Sequence, residues 1–372
     1  MTSLQPLVRA EGGFASVYLD VSRASEDADH RLQLRWRSVA GDLRDAGAPE
    51  DLIDRVGERI AEPTGHGGEL VRMVVATPDD VLLDTVAPRS AAQTDYGHFG
   101  PFPHLMPLAR IWTTMSPYVL VMVDHTGADI ASVDATGLDA QVWQAEGGHD
   151  VIHKVPGGGW SHRRYQSRVE DSWERNAEQV AKSLDSIIAS HVGGPVFLVG
   201  EPYARSVVQA TATGRTAERL VDLGHGSRAA GSSDKHVEEL VGEHLAAARR
   251  ATKEHKLARL AEQRQRPSGG ATSLADVEAA LQEAALDTLL VVDHPESTYR
   301  LWAGLEPLAF GETAQDVKDL GPGEAHEDRL DEILLRALID TDGDLELLAE
   351  PSELLPDGIG GILRFPTGSD GS

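Results

Sequence analysis

Short runs rich in β-branched and aromatic residues alternate along this chain with stretches of helical period, and that alternation commits it to layered α/β architecture. "ASVYLDVSR" (15–23) has the composition of a strand. Leu32, Trp36, Val39 and Leu43 then recur at spacings of four, three and four, one face of a helix. "ELVRMVVAT" and "DVLLDTVA" read as two strands joined by the turn composition "PDD". The next window, "TDYGHFGPFPHLMPLAR" (94–110), is crowded with Gly, Pro and aromatic residues and is expected to be a long loop leading to a domain boundary. Residues 1–115 thus make a first α/β domain.

A central domain is expected over residues 116–266. In "SPYVLVMVDHTGADIASVDATG" two strand-like runs flank "DHTGAD", which suits a hairpin turn. Val169, Trp173, Ala177, Val180, Leu184 and Ile187 recur at helical spacing, "GPVFLVGE" reads as a buried strand, and a long polar helix from "DKHVEELVGEH" to "AEQRQR" leads out. "PSGGATS" is a break. A third domain over 270–372 opens on helix "SLADVEAALQEAA", where Ser273 can N-cap with Asp276 in the first turn. "DTLLVVD" follows as a buried strand and "ILLRALID" as the end of a helix or a strand; "PTGSDGS" is a frayed tail. Two or three domains also suit the length of 372 residues. The expected fold is therefore α/β (α+β) in three domains.

The apolar fraction of 41% and charged fraction of 25% are those of a globular chain. Its opening shows no basic segment ahead of an apolar core, and runs such as "VLVMV" are far short of a membrane span, so a cytoplasmic location is expected. Without cysteine there are no disulfides, thiolate metal sites or cysteine nucleophiles. With 60 acidic against 34 basic residues the net charge is −26, which repels a polyanion at long range. Any contact with RNA must then be local; the acidic surface also has a plain reading as a solubility device.

Walker-type loops, dinucleotide fingerprints, His-Glu-x-x-His pairs and Gly-x-Ser-x-Gly elbows are missing, which disfavours the common nucleotide hydrolases, zinc peptidases and esterases. His98, His104, His125, His153, His162 and His294 are scattered, lack the i, i+4 pairing or flanking-carboxylate pattern of a ligand set, and are read singly as structural or solvent-exposed. Asp124, His125 and Asp129 could suggest catalysis, but turn chemistry accounts for them better. No cofactor or metal is expected.

One window differs from the rest. "HKVPGGGWSHRRYQSR" (153–168) contains no acid, and its three consecutive glycines, Gly157, Gly158 and Gly159, need external contacts to become ordered. Lys154, Arg163, Arg164 and Arg168 offer cations for phosphates, while Trp160 and Tyr165 offer faces for bases. An irregular RNA surface would suit that set. A surface loop whose arginines pair with the chain's own acids suits it equally. Arg249, Arg250, Lys253, Lys256 and Arg259 make a second basic run, on the polar helix, read as a solvated face.

"GGWSHRRYQSR" (158–168), lying after a strand and before a long helix, resembles the loop-to-helix segment of archaeal and eukaryotic peptide-release factors and of Pelota. Gly158 and Gly159 match that family's glycines, Ser161 its serine, Arg164 its arginine and Tyr165 its aromatic residue, with His162 and Arg163 between; Trp160 stands in place of the glutamine. "EGGFASVYLDVSR", "VDHTGADI", "HKVPGGGW" and "DGIGGILRF" are similar to the bacterial branch of the superfamily, which includes actinobacterial dormancy proteins and Balon-like ribosome hibernation factors. The resemblance implies a C-terminal domain of L7Ae/L30 type and a non-catalytic factor that occupies the A site of the 70S ribosome in stress. The loop Gly157–Arg168, with Lys154, would meet 23S rRNA near the peptidyl-transferase centre, and the N-terminal domain would sit at the 16S rRNA decoding centre. Elongation factor Tu is implied as a possible companion. An indole has one N–H donor and no acceptor, so Trp160 is not expected to position a hydrolytic water. Two alternatives stand beside this: a rescue or release hydrolase using Ser161 or Gln166, and a stress protein whose acidic surface binds a protein partner.

Overall fold

The computed structural model describes residues 4–23, 27–89, 94–124, 127–134, 140–146, 153–155, 184–185, 193–224, 233–265 and 270–365. Among the described residues it is a mixed α/β structure with four sheets. By contact it divides into two compact units. One joins Met1–Pro63, Glu69–Thr113 and Arg250–Ser372; the other is Thr64–Gly68 with Thr114–Arg249. Among the described residues no helix is long and apolar enough to cross a membrane.

The chain begins with β1 (Phe14–Asp20), the helices Ala28–Asp45 and Glu50–Ala61, β2 (Leu70–Ala76) and β3 (Val81–Pro88). The helical spacing noted in the sequence is real: Leu32, Val39 and Leu43 are buried on the first helix. β4 (Tyr96–Gly100) then pairs with β1, completing an antiparallel sheet in the order β3-β2-β1-β4. This corrects the expected long loop over 94–110, which holds β4 and the helix Met106–Thr114. Its Gly and Pro content misleads because an edge strand takes its conformation from ladder bonds to its neighbour. Met106, Leu108, Ala109 and Ile111 supply the buried face of the helix.

The second unit is built on a six-stranded sheet. β5 (Tyr118–Asp124), β6 (Gly127–Val133), β7 (Ala140–Glu146) and β8 (His153–Val155) run as an antiparallel meander. β9 (Val196–Gly200) and, after the helices Pro202–Thr211 and Gly214–Arg219, β10 (Leu220–Gly224) add in parallel on the other side of β5, giving the order β10-β9-β5-β6-β7-β8. Alternation along β5 feeds two cores: Val119, Val121 and Val123 pack with Leu184, Ala204 and Val208, whereas Leu120 and Met122 pack with Val237 and Val241 of the long helix Ser233–Arg264. Gly200 ends β9 at φ +139°, where an added Cβ would lie 1.8 Å from the Val123 carbonyl oxygen.

The last section opens on the helix Leu274–Gln282, with Ser273 and Asp276 forming the full reciprocal capping box. β11 (Leu286–Val292) is the centre of a small sheet, flanked by β15 (Asp344–Leu348) in parallel and β16 (Ile359–Leu363) antiparallel. β12 (Arg300–Ala303) lies between β13 (Phe310–Gly311) and β14 (His326–Arg329) in another. A helix over Ala314–Leu320 has its own box from Thr313 and Asp316. "ILLRALID" is helical, within Leu330–Asp340, and buried over Glu332 to Ile339.

Candidate functional site

The acid-free window lies almost wholly outside the described residues, including Gly157, Gly158, Gly159, Trp160, Ser161, His162, Arg163, Arg164, Tyr165 and Arg168. Its entrance is described. Lys154 sits in β8, the edge strand of the six-stranded sheet, opposite Trp143 of β7. The chain reaches the window from that edge. The neighbouring hairpin closes at the pair Asp124 and Gly127, where the Gly127 N–H donates to Asp124 Oδ1 at 3.1 Å. This is the turn role expected of Asp124; His125 lies outside the described residues.

The basic run on the helix Ser233–Arg264 is partly consumed within the fold. Lys256 Nζ donates to Asp344 (2.7 Å) and Glu346 (2.9 Å), and Arg259 to Asp287 (3.1 Å). Burial opposes the Lys256 charge, but the two carboxylates outweigh it and raise its pKa.

The structure also assembles a polar cluster that no local spacing announces. Cross-strand register sets Tyr18 opposite Tyr96 and Ser16 opposite His98, so period-two alternation puts all four on one face of the β1–β4 pair. His104 lies over that face. Its backbone N–H donates to Ser16 Oγ (3.0 Å) and its carbonyl accepts from the Tyr18 hydroxyl (2.6 Å). Its ring stacks on His98 at 3.5 Å between centroids and 9° between planes. His104 Nδ1 is hydrogen-bonded to the Tyr96 hydroxyl, and Nε2 lies 3.0 and 3.1 Å from the two oxygens of Asp328 in β14. From the helix that follows β14, Glu332 accepts the N–H groups of Leu105 (2.6 Å) and Met106 (3.0 Å), capping the helix Met106–Thr114 from a distant segment.

Burial governs the charges here. It pushes Glu332 up to about 7, with His104 and the two N–H groups pulling the other way. Burial and the neighbouring His104 push His98 down to about 4. Burial opposes the His104 charge, yet Glu332 and Asp328 together raise its pKa; Asp328 is lowered, chiefly by its hydrogen bond to His104 working against burial. His98 Nε2 is buried and has no hydrogen-bond partner. The polar atoms of His98, His104 and Asp328 all lie within 4.8 Å of one another, although the face-to-face rings keep the in-plane lone pairs of the two imidazoles parallel.

The structural role read singly for His98 and His104 is a shared one: tertiary structure stacks them and brings in Asp328 from 224 residues away. The local signal that existed was the alternation Tyr96, His98, Gly100, which marks a strand with its polar residues on one side.

Residues 117–266 match the family model of bacterial archaeo-eukaryotic release factor family 2. Over 97% of this chain and 96% of its own length, the Mycobacterium tuberculosis (strain H37Rv) protein Rv2629 is 28% identical. Among solved structures, Archaeoglobus fulgidus Pelota is 13% identical over 95% of this chain and 96% of its own, with a TM-score of 0.34. The archaeal translation termination factor aRF1 is 14% identical over 97% and 96%, with a TM-score of 0.25.

Proposed function

We propose that this protein, whose residues 117–266 match the family model of bacterial archaeo-eukaryotic release factor family 2, belongs to the bacterial branch of that superfamily and is a ribosome-binding translation factor. It occupies the A site of the 70S ribosome, blocks translation during stress or dormancy, and catalyses no peptide release. The family match carries this reading, because it spans the whole acid-free window 153–168. Gly158 and Gly159 let that loop approach a surface closely, and Arg163, Arg164 and Arg168 meet phosphates of 23S rRNA. Trp160 stacks but has no acceptor with which to hold a hydrolytic water. The N-terminal section, residues 1–115, faces the 16S rRNA decoding centre, and elongation factor Tu is the proposed delivery partner. A net charge of −26 limits binding to places where a few cations are confined against RNA, which favours one site over general RNA adhesion.

Co-sedimentation of the full chain with 70S ribosomes across a salt series tests this, beside the double variant Arg163→Glu, Arg164→Glu. Salt-sensitive binding by the wild type, lost in the variant with an unchanged unfolding midpoint, is the expected result. No binding at any salt would refute the ribosomal reading. Release of peptide from a loaded ribosome by the wild type would replace the blocking factor with a hydrolase. Trp160→Gln is expected to remain inactive in that assay, since a catalytic donor needs a supporting shell.

A further inference from the structure

We propose that Arg249, Arg250 and Lys253, on the long helix Ser233–Arg264, form a second docking surface for the phosphate backbone of RNA, separate in sequence from the acid-free window. Five bases and a single acid, Glu254, fall within residues 244–261 of a chain whose net charge is −26. Positions 249 and 253 are four apart and 250 and 253 three apart, so the helix itself makes the three cations neighbours on its surface.

Three observations set these cations apart from an ordinary solvated face. Lys256 and Arg259 on the same helix are held by Asp344, Glu346 and Asp287, and Arg72, Arg110 and Arg329 are likewise tied to carboxylates. Arg249, Arg250 and Lys253 have no ion-pair or hydrogen-bond partner among the described residues, which leaves their charge to an external anion. Next, the helix packs apolar side chains at Leu245 and Leu257, and residues 246–256 between them contain no large apolar residue. That stretch, about 16 Å long at 1.5 Å per residue, has no core of its own to fill. Finally, Arg250 is exposed and Arg249 and Lys253 are half-exposed, so all three are accessible.

RNA fits this set better than an acidic protein. Double-stranded nucleic acid carries a charge roughly every 1.7 Å along its axis, so a rigid row of cations meets a phosphate at any register. Carboxylates on a folded partner would have to be placed one by one. Two of the three cations are arginines, whose forked guanidinium takes a phosphate in two parallel hydrogen bonds. The surface goes beyond the ribosomal reading, which supplies only the identity of the RNA.

Binding of the full chain to 70S ribosomes is measured between about 50 and 200 mM KCl, beside the triple variant Arg249→Gln, Arg250→Gln, Lys253→Gln. Each phosphate contact steepens the log–log salt slope by about 0.7–0.9, so over that range the wild type should lose roughly 20- to 40-fold more affinity than the variant. Glutamine is a good helix former, and the unfolding midpoint should not move. Lys256→Gln is the control: its charge is spent on Asp344 and Glu346, so it should lower the midpoint and leave the slope alone. An unchanged slope in the triple variant, or an equal change in Lys256→Gln, overturns the surface while the ribosomal reading stands. If the wild type does not bind ribosomes, that reading fails, and the same comparison on ribosomal RNA stripped of protein decides this one. A photo-crosslinker at position 250 must capture RNA; capture of ribosomal protein alone refutes the proposal. Should the triple variant fold poorly, Arg250→Gln alone carries the test, with a slope change of about 0.7–0.9.

Discussion

Glu278 is a carboxyl group in the wrong company. Burial first, and then the neighbouring charges of Glu312 and Asp316, push its pKa up to about 7 from 4.5, and its Oε1 is buried without a hydrogen-bond partner. A raised carboxyl pKa means that the folded state holds the proton more tightly than the unfolded chain. Stability is then fully present below about pH 4.5 and is lost as pH rises through 7. Glu278→Gln removes this loss and should stabilise the protein at pH 8 by about 1 kcal/mol, allowing for solvent screening of a half-exposed group, with little effect at pH 4. Urea unfolding at the two pH values measures it; an equal effect at both would assign the change to packing. Some residue-scale features were legible in the sequence because they are local. Ser273 and Asp276 are three apart, and a capping box needs nothing else. Contacts of His104 with Asp328 and of Glu332 with Leu105 could not be read, because they are set by how distant segments meet.

At the scale of elements, hydrophobic period served wherever an element buries a face of its own. The helix around Leu32 to Leu43, the alternating β5 and the paired β2 and β3 all announce themselves in this way. β4 does not, because Tyr96–Gly100 contains two glycines and gains its strand conformation from register with β1. The parallel contact of β9 with β5 has a stricter requirement. At Gly200 the backbone is left-handed and the Val123 carbonyl occupies the place of a side chain. Gly200→Ala must move backbone, and a loss of more than about 3 kcal/mol is expected in denaturant unfolding. A loss below about 1 kcal/mol would show that the strand end yields without resistance. The window from Gly157 to Arg168 was conspicuous in the sequence through its composition alone, and its placement lies outside the described residues.

For the whole molecule the net charge of −26 is a standing self-repulsion. Raising NaCl from 50 to about 500 mM, which shortens the screening length to a few ångströms, should raise the unfolding midpoint, opposite to the effect of salt on ribosome binding. A midpoint that falls with salt would mean that the internal ion pairs outweigh the repulsion. The first and last sections share one compact unit, so a fragment of residues 1–113 lacks Asp328 and Glu332 and is expected to melt without a cooperative transition in calorimetry. A sharp transition in that fragment would show that its four-stranded sheet is sufficient alone. The 224-residue separation of His104 from Asp328 is also an interval of time. At about 5–20 residues per second, synthesis delivers the partner roughly 10–45 s after the histidine. Through that delay the nascent first section carries an uncovered imidazole pair and an uncapped helix, until the last section arrives to complete it.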